Sequence, residues 1–196
     1  MPAWSRVESE LDEGMLRDVR DAVFKVGACS LKSFTLMNED EIRRVLAWRN
    51  RPRTRLWMVR NKPISMDEHR EFLRHLSEGT SDLYWMILKG RLRMGVIYLN
   101  QIDRRERSAR IGLYRNPDYR RAGVGSEMMG LLLETAFDRL GLEILYAMVL
   151  EHNQRAVDLY VSAGFRPTGR VVTCPEEEGE RRIFLEMRLT GKGETT

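Results

Sequence analysis

The sequence predicts an α/β (α+β) domain, with helices packed on a mixed sheet. Three observations predict it. The apolar patterns run strand, two helices, a three-strand meander, helix, strand, helix and two strands, which is a layered sandwich rather than a repeated βαβ array. The stretch "NPDYRRAGVGSEMMGLLLETAF" (116–137) runs from a strand through a glycine-bearing loop straight into a strongly helical segment. The length, 196 residues, suits one well-buried core and is marginal for two.

Taken in order, residues 1–30 read as a helical appendage. "ELDEGMLRDVRDAVFKVG" sets Met15, Leu16, Val19 and Val23 on one stripe, with Gly27 as its stop. Residues 31–190 form the domain, and 191–196 a disordered tail. "LKSFTLM" (31–37) is a short strand. "NEDEIRRVLAWRN" is a helix capped by Asn38, with Ile42, Val45 and Leu46 on one face. "RPRTRLWMVRNKP" is a loop with proline near both ends. In "SMDEHREFLRHLSEG" Ser65 caps a second helix, Glu68 completes a capping box and Gly79 ends it.

"DLYWMILK" and "RLRMGVIYLNQID" form a hairpin about a "KG" turn, and "SARIGLY" (108–114) follows. Met128, Leu131, Leu132, Ala136 and Phe137 recur at helical spacing after the quoted loop. "EILYAMVL" (143–150) reads as a strand buried on both faces. "NQRAVDLYVSAGF" is a helix between a cap at Asn153 and a stop at Gly164. "RPTGRVVT" and "RRIFLEMRL" are two last strands about an acidic turn, "PEEEGE".

Composition narrows the chemistry. Lys and Arg number 33 against 29 Asp and Glu, a formal charge of only +4. Basic clusters at 49–55, 89–93 and 104–110 suit a small anion, and they read equally well as solvated turns. They lack the aromatic interleaving or reading helix that nucleic-acid binding needs. Two cysteines and three scattered histidines make neither a disulfide framework nor a metal centre. No apolar run is long enough to span a bilayer, and the polar N-terminus lacks the pattern of a signal peptide, so the expected compartment is the cytoplasm.

The quoted loop calls for an anion. At a helix N-terminus the first N–H groups are unpaired and the dipole is positive. Gly123 and Gly125 allow close main-chain approach, and Arg120 and Arg121 add charge-assisted hydrogen bonds. The bland alternative is a glycine-containing helix start with solvent-facing arginines. Neither G-x-G-x-x-G nor G-x-x-x-x-G-K-[ST] occurs there.

R-x-x-G-x-G at Arg120, Gly123 and Gly125 resembles the acetyl-CoA pyrophosphate motif of the GNAT N-acetyltransferase family. "EHNQRAVDLYVSAGF" resembles that family's downstream pattern, one strand later. The resemblance covers roughly residues 31–190 and implies a twisted mixed sheet of about seven strands. Its fourth and fifth strands, 108–114 and 143–150, splay to admit the cofactor. It implies that Leu113, Tyr114 and Arg115 pair with the pantetheine arm, and that Arg120, Arg121, Ala122, Gly123, Val124, Gly125 and Ser126 hold the pyrophosphate. Asn153 and Ala156 would meet the cofactor from the other side. Tyr160 would be the catalytic acid at the sulfur. Independently, Asn153 and Tyr160 are two helical turns apart and share a face, and a phenol can protonate a departing thiolate. The alternative for Tyr160 is a packing tyrosine. The implied co-substrate is acetyl-CoA, with no metal.

The segment 48–76 resembles, more narrowly, the family's nucleotide-sugar branch, which acetylates the 4-amino group of a UDP-linked 4-amino-4,6-dideoxy sugar on the route to pseudaminic acid. Arg49–Asn50, Trp57–Met58 and His69 match its order of residues. The resemblance implies that Met58, His69, Tyr98 and Tyr114 meet the acceptor and that Arg53, Arg55 and Arg60 meet a diphosphate. Taken singly, each is equally a packing or solvated residue. Two positions depart from the branch: Tyr98 stands where some members carry serine, and Met148 where some carry glutamate. The base is therefore unassigned, Glu151 lying on the opposite strand face. Other readings stay open: a protein N-terminal or ribosomal-protein acetyltransferase, or a non-catalytic acetyl-CoA sensor. The oligomeric state, homodimer included, is not set by the sequence.

Overall fold

The computed structural model describes residues 10–175 and 181–191. Among them the elements are α1 (Glu13–Arg20), β1 (Val23–Val26), β2 (Cys29–Ser33), a 3₁₀ turn (Phe34–Leu36), α2 (Glu39–Asn50), α3 (Pro52–Arg55) and α4 (Met66–Glu78). Then come β3 (Leu83–Lys89), β4 (Leu92–Asp103), β5 (Ser108–Arg115), α5 (Val124–Leu133), β6 (Ile144–Leu150), α6 (Gln154–Ser162), β7 (Arg166–Pro175) and β8 (Arg181–Thr190). The strands form one eight-stranded sheet in the order β1-β2-β3-β4-β5-β6-β8-β7. Only β5 and β6 pair in parallel among the described strands.

Both capping boxes form. Asn38 and Glu41 exchange hydrogen bonds at the start of α2, and Ser65 and Glu68 do the same for α4. Each satisfies two N–H groups that a helix start leaves orphaned. Glu41 also ion-pairs with Lys32 at 2.6 Å and so ties α2 to β2.

The sheet separates two cores. On one face α1, α5 and α6 cover Leu31, Trp85, Ile97, Leu99, Ile111, Leu145, Ala147 and Met187. On the other, α2 and α4 cover Met86 and Val96, with Tyr84, Tyr98 and Tyr114 at the margin. Removing this apolar surface from water is the main stabilising term, at roughly 25 cal/mol per Å².

Several sequence expectations need correction. The sheet has eight strands because Val23–Val26, expected inside a helix, pairs antiparallel with Cys29–Lys32. The helix stops at Arg20, which donates to the Gly79 carbonyl at 3.0 Å. Trp85 Nε1 donates to the Val19 carbonyl at 3.0 Å, and Leu11, Leu16 and Val19 are buried in the main core. Residues 10–30 thus pack into the sheet and its main core. Four apolar residues on one stripe serve a short helix and a following strand equally well, which is why periodicity misled here.

The first two turns after β2 also differ: the strand ends at Ser33, and Phe34–Leu36 is 3₁₀. The loop after α2 contains the short helix α3. β6 is not buried on both faces. Leu145, Ala147 and Val149 are buried while Tyr146 and Met148 are half-exposed. Gly191 donates to the Glu143 carbonyl at 2.7 Å. The "EEEGE" part of the acidic turn, residues 1–9 and residues 192–196 lie outside the described residues.

Candidate active site

A fork in the sheet organises the site. β5 and β6 pair from Ser108↔Ile144 to Ile111↔Ala147. Both strands continue, to Arg115 and Leu150, without pairing to each other. Gly112–Arg115 and Met148–Leu150 thus offer main-chain groups to a gap, where an extended amide-bearing chain can add like a strand. Leu113, Tyr114 and Arg115 line the β5 side of this gap, and Leu113 and Tyr114 are half-buried.

The quoted loop sits at the open end. Gly123 adopts φ 73°, and no side chain caps α5. The left-handed turn favours glycine, and the first turn of α5 has no side-chain cap for its N–H groups. Arg120, Arg121, Ala122, Gly123 and Ser126 are exposed, Gly125 is half-buried, and Val124 anchors the turn in the core. Arg121 lies 3.6 Å from Glu127, which also pairs with Lys89. A Cβ on Gly125 would reach only ordinary contact with Leu159, at 3.5 Å.

Across the fork, Asn153 caps α6 through Oδ1, which accepts from the Ala156 N–H at 3.3 Å. Tyr160 is 7% exposed, and its ring meets Phe165 edge-on at 5.2 Å. Burial pushes its phenol well above the usual tyrosine range, with a smaller contribution from Tyr98. It therefore keeps its proton at neutral pH.

On the opposite face a ladder of phenols leads away from the fork. Tyr98 pairs across the strands with Gly112, and its ring occupies the space that a Cβ there would need, 2.1 Å from the hydroxyl. It stacks on Tyr84 at 4.6 Å and 10°. Burial raises the pKa of Tyr84, Tyr98 and Tyr114 alike. Arg49 faces these three phenols. Its own pKa is lowered, chiefly by burial. Its Nη2 donates to the Arg60 carbonyl at 2.7 Å, while Nη1 is buried without a partner among the described residues. His69, 6% exposed and stacked on Phe72, likewise has a buried Nε2 without a partner. Burial lowers its pKa, so the ring is neutral at pH 7. Arg93 Nε is also buried without a hydrogen-bond partner among the described residues.

Met58 belongs to the loop that closes this face. Arg182, 7% exposed on β8, donates to the carbonyls of Leu56 at 2.5 Å, Met58 at 2.6 Å and Val59 at 3.2 Å. Trp57 meets His152 at 6.0 Å, beside the cap of α6. Asn50 exchanges two hydrogen bonds with Ile64, at 2.8 and 2.9 Å, and so braces the same loop. Arg60 is paired with Glu68 at 2.5 Å. Glu151 is exposed in the turn after β6.

The structure thus gathers Tyr98, Tyr114, Tyr160 and the 120–126 loop around one fork, and sets His69 and Met58 on the phenol-lined side. Sequence reasoning missed Tyr84, Arg182 and Glu186. For Arg182 and Glu186 the signal was the period of two in "RRIFLEMRL", which puts Arg182, Phe184, Glu186 and Arg188 on one strand face.

Residues 33–166 match the Acetyltransferase (GNAT) domain family, so the chain belongs to the GNAT acetyltransferases. It is an acetyl-CoA-dependent N-acetyltransferase. Among relatives, it is 34% identical over 130 residues to Acetyltransferase PseH of Campylobacter jejuni subsp. jejuni serotype O:23/36 (strain 81-176), covering 66% of this chain and 80% of that one. The crystal structure of Campylobacter jejuni PseH in complex with acetyl coenzyme A matches with TM-score 0.64 at 27% identity, over 84% of this chain and 99% of that one. A spermidine N-acetyltransferase from Vibrio cholerae, in complex with CoA and spermine, shares the fold with TM-score 0.74 at 20% identity, over 84% and 96%. No three His, Cys, Asp or Glu side chains gather as a metal site among the described residues, and no described helix is long and apolar enough to cross a membrane.

Proposed function

We propose that the protein transfers acetyl from acetyl-CoA to the 4-amino group of a UDP-linked 4-amino-4,6-dideoxy sugar, in the cytoplasm. The observation that carries this is the likeness to PseH over 80% of that protein's length. Arg49 Nη1 and His69 Nε2, each buried without a partner among the described residues, support it as polar atoms that a polar substrate would satisfy. The half-buried Met58 and the aromatic face of Tyr84 and Tyr98 suit a sugar or base ring.

In this reading the pyrophosphate of the cofactor lies on the N–H groups of residues 123–126, with Arg120 and Arg121 beside it. The pantetheine arm lies along Leu113–Arg115, and Asn153 and Ala156 close the far side of the fork. The acceptor nitrogen attacks the thioester carbonyl directly, with no covalent enzyme intermediate. A β5 main-chain N–H polarises the carbonyl oxygen. Tyr160 donates a hydrogen bond to the departing sulfur.

The test is turnover of acetyl-CoA against UDP-amino-sugars, N-terminal peptides and polyamines. Release of free CoA with the 4-amino sugar, and little with the others, is expected. Peptide-only turnover would move the protein to the protein-modifying branch. Cofactor binding without turnover on any acceptor would make it a sensor.

A further inference from the structure

Two carboxylates are buried among the described residues, Glu41 and Glu186. Glu41 is already engaged: its Oε2 accepts from Lys32 Nζ at 2.6 Å and from the Asn38 N–H at 3.1 Å. Glu186 is not comparably engaged. Arg110 Nη2 and Arg170 Nη1 approach its Oε2 at 3.6 and 3.7 Å, both beyond hydrogen-bond distance. Its Oε1 meets only the Thr168 hydroxyl, at 3.3 Å. A carboxylate oxygen accepts two hydrogen bonds, so Oε1 has room for another donor.

Its position is the second observation. Glu186 lies directly across from Met148, the first β6 residue past the last β5–β6 pair. Adjacent strands are about 4.8 Å apart, so the glutamate stem begins one strand spacing from the gap. Strand alternation puts it on the same face as Tyr98 and Arg110, the side opposite Tyr160. On this face a polar hollow of about 300 Å³ opens between Glu186, Arg110, Arg170 and Tyr146, beside the paired stretch of β5 and β6 that leads up to the fork. A second of about 480 Å³ shares Glu186 and Tyr146. The reaction as described names no group to take the proton that the acceptor nitrogen loses.

We propose that Glu186 takes the acceptor's proton, through one water, from the side of the fork opposite Tyr160. This rests on the acceptor being an amine, as proposed above. The nitrogen lone pair forms the C–N bond to the acetyl carbon, and the C–S bonding pair leaves on sulfur. One N–H proton passes through the water to Glu186 Oε1 and then to solvent, while the thiolate takes a proton from solvent. Amide and free CoA result. The N-protonated amide left when the C–S bond breaks is a far stronger acid than a carboxylic acid, so a carboxylate suffices as acceptor. General-base help of this kind is worth roughly 10²–10⁴-fold.

The experiment compares Glu186→Gln, Glu186→Asp and Arg170→Gln with the wild type, using whichever amine the wild type acetylates fastest. Glu186→Gln is expected to lower kcat by about 100-fold. Its acetyl-CoA Kd should stay within about twofold. Glu186→Asp should recover part of kcat, and Arg170→Gln should cost less than about fivefold. A Glu186→Gln kcat within about threefold of wild type overturns the proposal. So does an equal loss in Arg170→Gln, or a matching fall in cofactor affinity, since either marks a structural role. Turnover of a peptide or polyamine in place of the sugar sinks the sugar reading and still tests Glu186. A wild type inert toward every amine overturns both.

Discussion

At the scale of single residues, burial decides what Tyr160 can do. Its phenol is pushed well above 10 by desolvation, whereas a thiol ionises near 8.5. Full proton transfer from this phenol to the thiolate is therefore uphill, and the hydrogen bond itself is the stabilising contribution. Tyr160→Phe keeps the ring and its edge contact with Phe165, so the fold should persist. We expect kcat to fall by about 100-fold, with acetyl-CoA affinity within about twofold, by calorimetry beside steady-state kinetics. Retention of half the activity would leave Tyr160 as a packing residue. This tyrosine was legible in the sequence because it stands in a local motif. Glu186 was not, because a charge in a terminal strand reads as a solvated face, and its burial depends on β6 lying alongside.

At the scale of elements, two connections carry the site. The α5 start needs glycine at 123 for its positive φ, but Gly125 has no such need and its Cβ would meet only the flexible tip of Leu159. Gly125→Ala should leave the melting temperature nearly unchanged while weakening acetyl-CoA binding by about tenfold, roughly 1.4 kcal/mol. Loss of stability with affinity intact would contradict the proposed role of that turn. The 56–59 loop hangs on Arg182, whose three carbonyl contacts cross from the last strand to the first third of the chain. Charged hydrogen bonds contribute about 1.5–3 kcal/mol each in isolation, but they act on a loop and not on the core. Arg182→Met should raise the acceptor KM by about tenfold or more and change kcat little. An unchanged KM would show that the loop holds its place without the clamp.

At the scale of the whole molecule, buried phenols on the two faces of the sheet link function to stability. Tyr84, Tyr98, Tyr114 and Tyr160 all have raised pKa values from burial. The unfolded chain gives up these protons near pH 10 while the folded chain retains them. Stability from this source is complete below about pH 10 and is lost as pH rises beyond it. His69 acts with the opposite sign: its pKa is lowered by burial, so its contribution is present above about pH 6.5 and falls as the imidazole of the unfolded chain protonates. Denaturant midpoints between pH 5.5 and 11 should trace a plateau falling at both ends. Tyr84→Phe should soften the alkaline fall, and no change there would show that the phenols are not its source.

By itself, the sequence determined the order of most elements, both capping boxes, the glycine turn before α5 and the motif around Tyr160. All of these are local: a cap, a turn or a helical face is set by residues within a few positions of one another. Tertiary structure alone decided that 23–26 joins the sheet, that β5 and β6 part after Ile111 and Ala147, that Tyr98 lies over Gly112, and that Glu186 stands beside Met148. Those facts depend on register between strands far apart in the chain. Register is fixed by which faces are buried against which helices, and no single segment carries that information.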